Sequence, residues 1–205
     1  MTHAHLRREF FQRPVLTVAR ECLGKLLVHE LDGETLIARI VETEAYRGPL
    51  DRAAHSYGGR RTKRTEVMYG KAGIAYVFFV YGMHFQFNVV TGEIGEPHAV
   101  LIRAVEPVRG IATMEKNRGY PTSASNLTNG PGKLCAALNI GRHYNGVDLC
   151  GPSLYFLEGP APTNIQQSPR IGVDYAGDWA KRPWRWFDAE SPYLSRRAPS
   201  GPVRG

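Results

Sequence analysis

Glu42 and Glu44 stand two residues apart in the apolar run RIVETEAY (39–46). Strand alternation puts Ile40, Glu42, Glu44 and Tyr46 on one face and Val41, Thr43 and Ala45 on the other. The two carboxylates then rise from backbone positions roughly 6.6–6.8 Å apart. On an open edge strand they are a solvated pair. In a cleft, one of them can act as a general base or stabilise a developing cation. The Gly-Pro turn segment that follows, RGPLDRAAH (47–55), can carry His55 back toward Tyr46. The same carboxylate spacing also approximates the roughly 6.5–9.5 Å of an inverting carbohydrate glycoside hydrolase.

Other chemistries lack their residues. There is no H-E-x-x-H, no H-x-E with P-C-x-x-C and no G-x-S-x-G. NGPGKL (129–134) lacks the first glycine of a phosphate loop and the Ser or Thr after Lys133, which argues against nucleoside triphosphate binding. Cys22, Cys135 and Cys150 are odd in number and widely spaced, as in reduced thiols, and they form no zinc set. No metal or cofactor is expected.

The 26 Lys and Arg residues exceed the 19 Asp and Glu by 26 − 19 = +7. The excess is concentrated in GGRRTKR (58–64) and WAKRPWRW (179–186), the second interleaved with aromatics. Such runs suit phosphate contact and base stacking, although a solubilising surface would read the same way. No apolar run has the length of a signal peptide or a membrane span, so a soluble, intracellular protein without a membrane partner is expected.

The elements that must position these groups are short. RPVLTVARECLGK places Pro14 at a helix start and Gly24 at its end. KLLVHEL and ETLIARIVETEAY read as a hairpin through Asp32-Gly33. IAYVFFVYGMHFQFNVV reads as a second hairpin turning at Tyr81-Gly82-Met83. In its return strand His84, Gln86 and Asn88 form a polar face and Phe85, Phe87 and Val89 a packed one. HAVLIRAVEP is a strand ending at Pro107, followed by helices at about 107–117 and 131–140, the second closed by Gly141. Residues 158–169 read as a surface connection and 196–205 as a disordered tail. Hairpins with helices between them make one α+β domain with an antiparallel sheet. Tyr81 at a hairpin tip packs on a neighbouring loop or serves as a wedge in a base stack.

RIVETEAYRGPLDRAAHSYGGR, YVFFVYGMHFQFNVV, VLIRAVEP, GPGKLCAAL and RIGVDYAGDWAKRP, in this order, resemble the signature segments of the mammalian-type alkyladenine (3-methyladenine) DNA glycosylases. The resemblance spans residues 10–195, leaving 1–9 as a flexible N-terminus. It implies a single compact domain around a curved antiparallel sheet, with flanking helices and a hairpin protruding into the DNA minor groove. By position it makes Glu44 the carboxylate that activates water. Arg103 and the main-chain carbonyl of Ile171 position that water, and Glu42 is a supporting neighbour. Tyr46, His55, Phe78 and Asn88 bound the base pocket. There Tyr46 stacks on the base, His55 offers its main-chain N–H and Asn88 discourages guanine. Tyr81 intercalates, and Lys133 and Arg142 contact phosphates. Arg60, Arg61, Lys63, Arg64 and Arg182, from the two basic runs, join them as DNA contacts. The family has a tyrosine at Phe78 and a lysine at Arg142.

The implied activity is that of a monofunctional glycosylase in base excision repair. It would flip alkylated or deaminated purines (3-methyladenine, 7-methylguanine, hypoxanthine, ethenoadenine) out of duplex DNA and hydrolyse the glycosidic bond. The chain would act as a monomer, on the nucleoid of a bacterial cytoplasm or in a eukaryotic nucleus. Alternatives from the residues are the carbohydrate hydrolase, a non-catalytic DNA-binding module, and a lyase acting through Lys63 or Lys71.

Overall fold

In a computed structural model of the chain, residues 4–119 and 123–196 are described. Two short helices, α1 (Arg8–Phe11) and α2 (Val15–Glu21), precede the sheet. α2 turns Val15, Val18 and Ala19 inward, and the turn after it reaches Gly24, whose φ of +82° would strain a side chain. The hairpin of β1 (Leu26–Leu31) and β2 (Glu34–Tyr46) turns through Asp32 and Gly33, both at positive φ, as a two-residue turn that follows strand twist requires.

The second hairpin is β3 (Ala75–Val80) and β4 (His84–Thr91), and β5 runs from His98 to Arg109. α3 (Ile111–Arg118) and α4 (Pro131–Ala137) follow, then β6 (Leu154–Leu157), β7 (Ile165–Ser168) and β8 (Arg185–Asp188). All pairings are antiparallel, in the order β3-β4-β5-β2-β1-β6. β2 outruns β1, and β8 takes over its free edge at Glu42–Glu44, with β7 outside it. The result is an α+β domain with a curled antiparallel sheet. One face is covered by a core that includes Phe11, Leu36, Phe87, Ile102, Leu134 and Phe156.

Several expected boundaries move. β5 continues through Pro107 to Arg109, because Pro107 sits beside a register shift and the break comes at Gly110, φ +77°. α4 stops at Ala137 with Asn139 left-handed, not at Gly141; asparagine tolerates that conformation. The connection expected at 158–169 contains β7. Part of the basic run 179–186 is interior, with Trp184, Arg185 and Trp186 all buried. Residues 4–9, expected to be flexible, include a bridge from His5 to Leu157 and the buried Leu6. Residues 1–3 of that segment and 197–205 of the expected tail lie outside the described residues.

Candidate active site

Two opposed register shifts build the centre. Between Ile40 and Thr43, the pairing of β2 with β5 passes over Val41 on one strand and Arg103 on the other. Each extra residue changes side-chain parity by one. Leu36, Ala38 and Ile40 therefore face the main core before the shift, and Ala45 faces it after; on β5, Val100 and Ile102 do so on one side and Val105 on the other. Strict alternation, which put Ile40 on the face of Glu42, Glu44 and Tyr46, fails for Ile40. The shift turns the two carboxylates away from the core and brings Arg103 between them.

Glu44 is wholly buried. Its Oε1 accepts the Ile171 N–H at 2.8 Å and lies 3.4 Å from Arg103 Nη1, while Oε2 accepts the Tyr46 hydroxyl at 2.9 Å. Three donors on one carboxylate suit its anionic form. Burial, then the Glu44 charge, hold the Tyr46 hydroxyl well above its ordinary pKa, so it stays a donor. The resemblance gave Ile171 a role through its carbonyl; the contact seen here is through its amide.

Glu42 is equally buried but has other partners. It accepts from Arg185 Nε at 2.6 Å, Ser195 N at 2.7 Å and Ser195 Oγ at 2.8 Å, with Arg103 Nε 3.2 Å away. It anchors Arg103 and the segment at Ser195.

Arg103, Tyr46 and Ile171 line a cleft of about 600 Å³, and Glu44 lies beneath them. That volume falls within the roughly 300–1,000 Å³ usual for ligand sites. His55, Phe78 and Asn88 form further walls, with Tyr81 and Lys133 also lining the cleft. The His55 ring meets Phe78 edge-on at 4.5 Å, and its Nδ1 lies 2.8 Å from the Tyr76 hydroxyl. Arg64 lies over the Phe78 ring at 4.8 Å and reaches His55 Nε2 at 3.3 Å. An arginine N–H at Nε2 leaves the imidazole proton on Nδ1. Burial, then Arg64 and Arg60, push His55 down to about 4, so the ring is neutral near pH 7. Asn88 Nδ2 donates to the Tyr76 carbonyl at 3.1 Å, which fixes its amide on the wall.

Tyr81 is 84% exposed with φ +52°. A non-glycine residue held left-handed costs about 1–2 kcal/mol. This one buries almost nothing in return, so it does not pack on a neighbouring loop. Lys133 Nζ is held by Asn126 and Asn129, at 2.8 Å from the Asn129 oxygen, and burial, then Arg118, lower its pKa. Among the other expected contacts, Arg60, Lys63 and Arg142 are exposed. Arg61 is paired with Glu66 at 2.6 Å, and Arg182 stacks on Trp179 at 4.4 Å. None of these five lines the cleft.

Residues not singled out from the sequence also build the site. Tyr76 shares the strand parity of Phe78 and was findable on that ground. Asp51 and Arg170 form a buried bidentate pair, and Ser195 and Arg185 hold Glu42; these partners are remote in sequence, so no local pattern joins them. Among the described residues, no cluster of three or more His, Cys, Asp or Glu side chains is suited to a metal ion, and no helix is long and apolar enough to cross a membrane.

Residues 9–192 match the family model for methylpurine-DNA glycosylase. A protein of Desulfitobacterium hafniense, provisionally named a 3-methyladenine DNA glycosylase, is 54% identical over 93% of this chain and 98% of its own. Proteins of Methanocella arvoryzae and Alkaliphilus oremlandii with the same provisional name are 49% and 47% identical, over 95% and 94% of this chain and 97% and 99% of theirs.

Proposed function

The chain belongs to the methylpurine-DNA glycosylase family, an enzyme that hydrolyses N-glycosyl bonds in damaged DNA, and from that premise we propose how its cleft does so. A damaged purine nucleotide swings out of the duplex into the cleft. Tyr81 fills the gap it leaves, and the base lies among Tyr46, His55 and Phe78. Unpairing costs a few kcal/mol, less at a lesion than at a normal pair. A water at C1′ gives its proton to Glu44 as the glycosidic bond breaks, and the purine leaves with that bond's electron pair. The sugar is oxocarbenium-like in between, so a nearby anion stabilises it.

The observation that carries this reading is the burial of Glu44 beneath Tyr46, Arg103 and Ile171, three groups that line one cleft. A carboxylate oxygen has lone pairs for more than one donor, so water can join Tyr46 at Oε2. Glu42 is bonded by Arg185 and Ser195, neither of which lines the cleft, and this argues against the two-carboxylate chemistry of a carbohydrate hydrolase. Lys63 and Lys71 are exposed and do not line the cleft, which argues against a lyase working through either.

Deaminated and etheno purines belong to the proposal alongside methylated ones, because aromatic walls and a neutral His55 accept uncharged bases as well as cationic ones. Action as a monomer, on nucleoid or nuclear DNA, completes it. Duplexes that each carry one defined lesion, scored for free base and for strand breakage, test it. Free methylpurine with an intact abasic strand is expected. No base from any lesion would overturn the reading.

A further inference from the structure

Arg170 has been given no part in the reaction so far, yet its side chain is wholly buried. Its Nη2 donates to Asp51 Oδ1 at 2.9 Å and to the Trp179 carbonyl at 3.2 Å. Its Nη1 donates to Asp51 Oδ2 and, at 2.9 Å, to the Ala45 carbonyl. The guanidinium lies 4.8 Å from the Tyr46 ring centroid and 5.2 Å from that of Trp184. Burial opposes its charge, but Asp51, then Tyr46 and Glu44, outweigh that and raise its pKa.

These contacts converge on Glu44 by two routes. The first runs through the ring of Tyr46, whose hydroxyl donates to Oε2. The second is the chain itself, because the residue after Arg170 is Ile171, whose amide donates to Oε1. Asp51 closes the frame. Its carboxylate accepts the Arg47 and Ala53 amides at 3.2 and 3.0 Å, and so holds the loop that runs from Tyr46 toward His55. One guanidinium thus ties together the strand bearing Glu44, a base-pocket wall and the segment at 170–172. A planar five-donor group can satisfy four acceptors at once; an ammonium cannot.

We propose that Arg170 is a positioning residue for the reaction: it fixes the two uncharged donors, the Tyr46 hydroxyl and the Ile171 amide, that aim the Glu44 carboxylate. The proposal rests on Glu44 being the reacting carboxylate.

Its test is a double-mutant cycle on single-turnover release of methylpurine from methylated duplex DNA. Arg170→Lys, Tyr46→Phe and their combination are compared with the wild type, and each is scored for binding to a duplex with a tetrahydrofuran abasic analogue. Arg170→Lys is expected to slow release by about 10- to 100-fold, as losses of positioning groups do, with binding unchanged. Its cost should be smaller in the Tyr46→Phe background, because one route is already cut. A purely structural role would give the same cost in both backgrounds, and that equality would overturn the proposal. An unchanged rate, or a loss of rate matched by a loss of binding, would overturn it as well. If Arg170→Lys does not fold, Asp51→Asn, which keeps the shape and frees the guanidinium, carries the same expectation. A wild type that releases no methylpurine would instead sink the assignment of Glu44, and this proposal with it.

Discussion

Arg103 Nη1 lies 3.4 Å from Glu44 Oε1, while its Nε lies 3.2 Å from Glu42 Oε1. One guanidinium therefore compensates two buried carboxylates of unlike duty. Glu44 sits under the cleft wall, and Glu42 is tied by Arg185 and Ser195.

Glu44→Gln keeps the shape and removes the proton acceptor. General-base catalysis contributes roughly 10²–10⁴-fold, so base release should fall by that order while binding of lesion duplex persists. Single-turnover kinetics beside a binding titration measure both. Turnover near the wild-type rate would remove Glu44 from the mechanism.

Glu42→Gln should act first on stability. It strips the charge that compensates buried Arg185, and breaking a buried pair from one side costs about 3–5 kcal/mol. Urea midpoints should fall accordingly. Release should slow as well, because Arg103 loses the carboxylate at its Nε. A midpoint like that of the wild type would mean that Glu42 is solvated in solution.

Tyr81 supports no packing and sits in a strained conformation, so Tyr81→Gly should leave the fold equally stable or up to about 1 kcal/mol more so. The same change should weaken capture of a lesion from duplex DNA, because no side chain would fill the gap. Melting curves and duplex binding separate the two effects. Full lesion capture by the glycine variant would exclude the wedge.

Acid should destabilise the protein through its histidines. His55 is pushed down to about 4, and burial lowers His29, whose ring is held between Leu138 O and the Tyr144 hydroxyl. Between about 6.5 and 4 the unfolded chain takes up protons that the folded chain refuses. The contribution from His55 is complete above about 6.5 and is lost as pH falls toward 4. Arg64→Ala removes part of the depression, so an NMR titration of the His55 imidazole should move upward. An unmoved titration would show that Arg64 does not act on it.

The local layout was legible in the chain because its signals are local. Asp32-Gly33 and Tyr81-Gly82-Met83 carry their own turn geometry, and the alternation of His84 to Val89 needs no partner strand to be read. The family segments pointed to Glu44, Arg103, Tyr46 and His55, and the fold gathers these around one cleft. What could not be read is how register and distance settle the rest. Two shifts, at Val41 and Arg103, reverse side-chain parity, and only pairing between β2 and β5 produces them. That is why Ile40 joins the core and not the face of Glu42. Asp51 and Arg170 stand 119 residues apart, and nothing in either segment announces the other. Arg185 looked like part of a DNA-facing basic run until β8 paired beside β2 and turned it onto Glu42. A charge in a sequence shows what a residue can bond to; burial and the partners within about 3 Å settle what it does bond to.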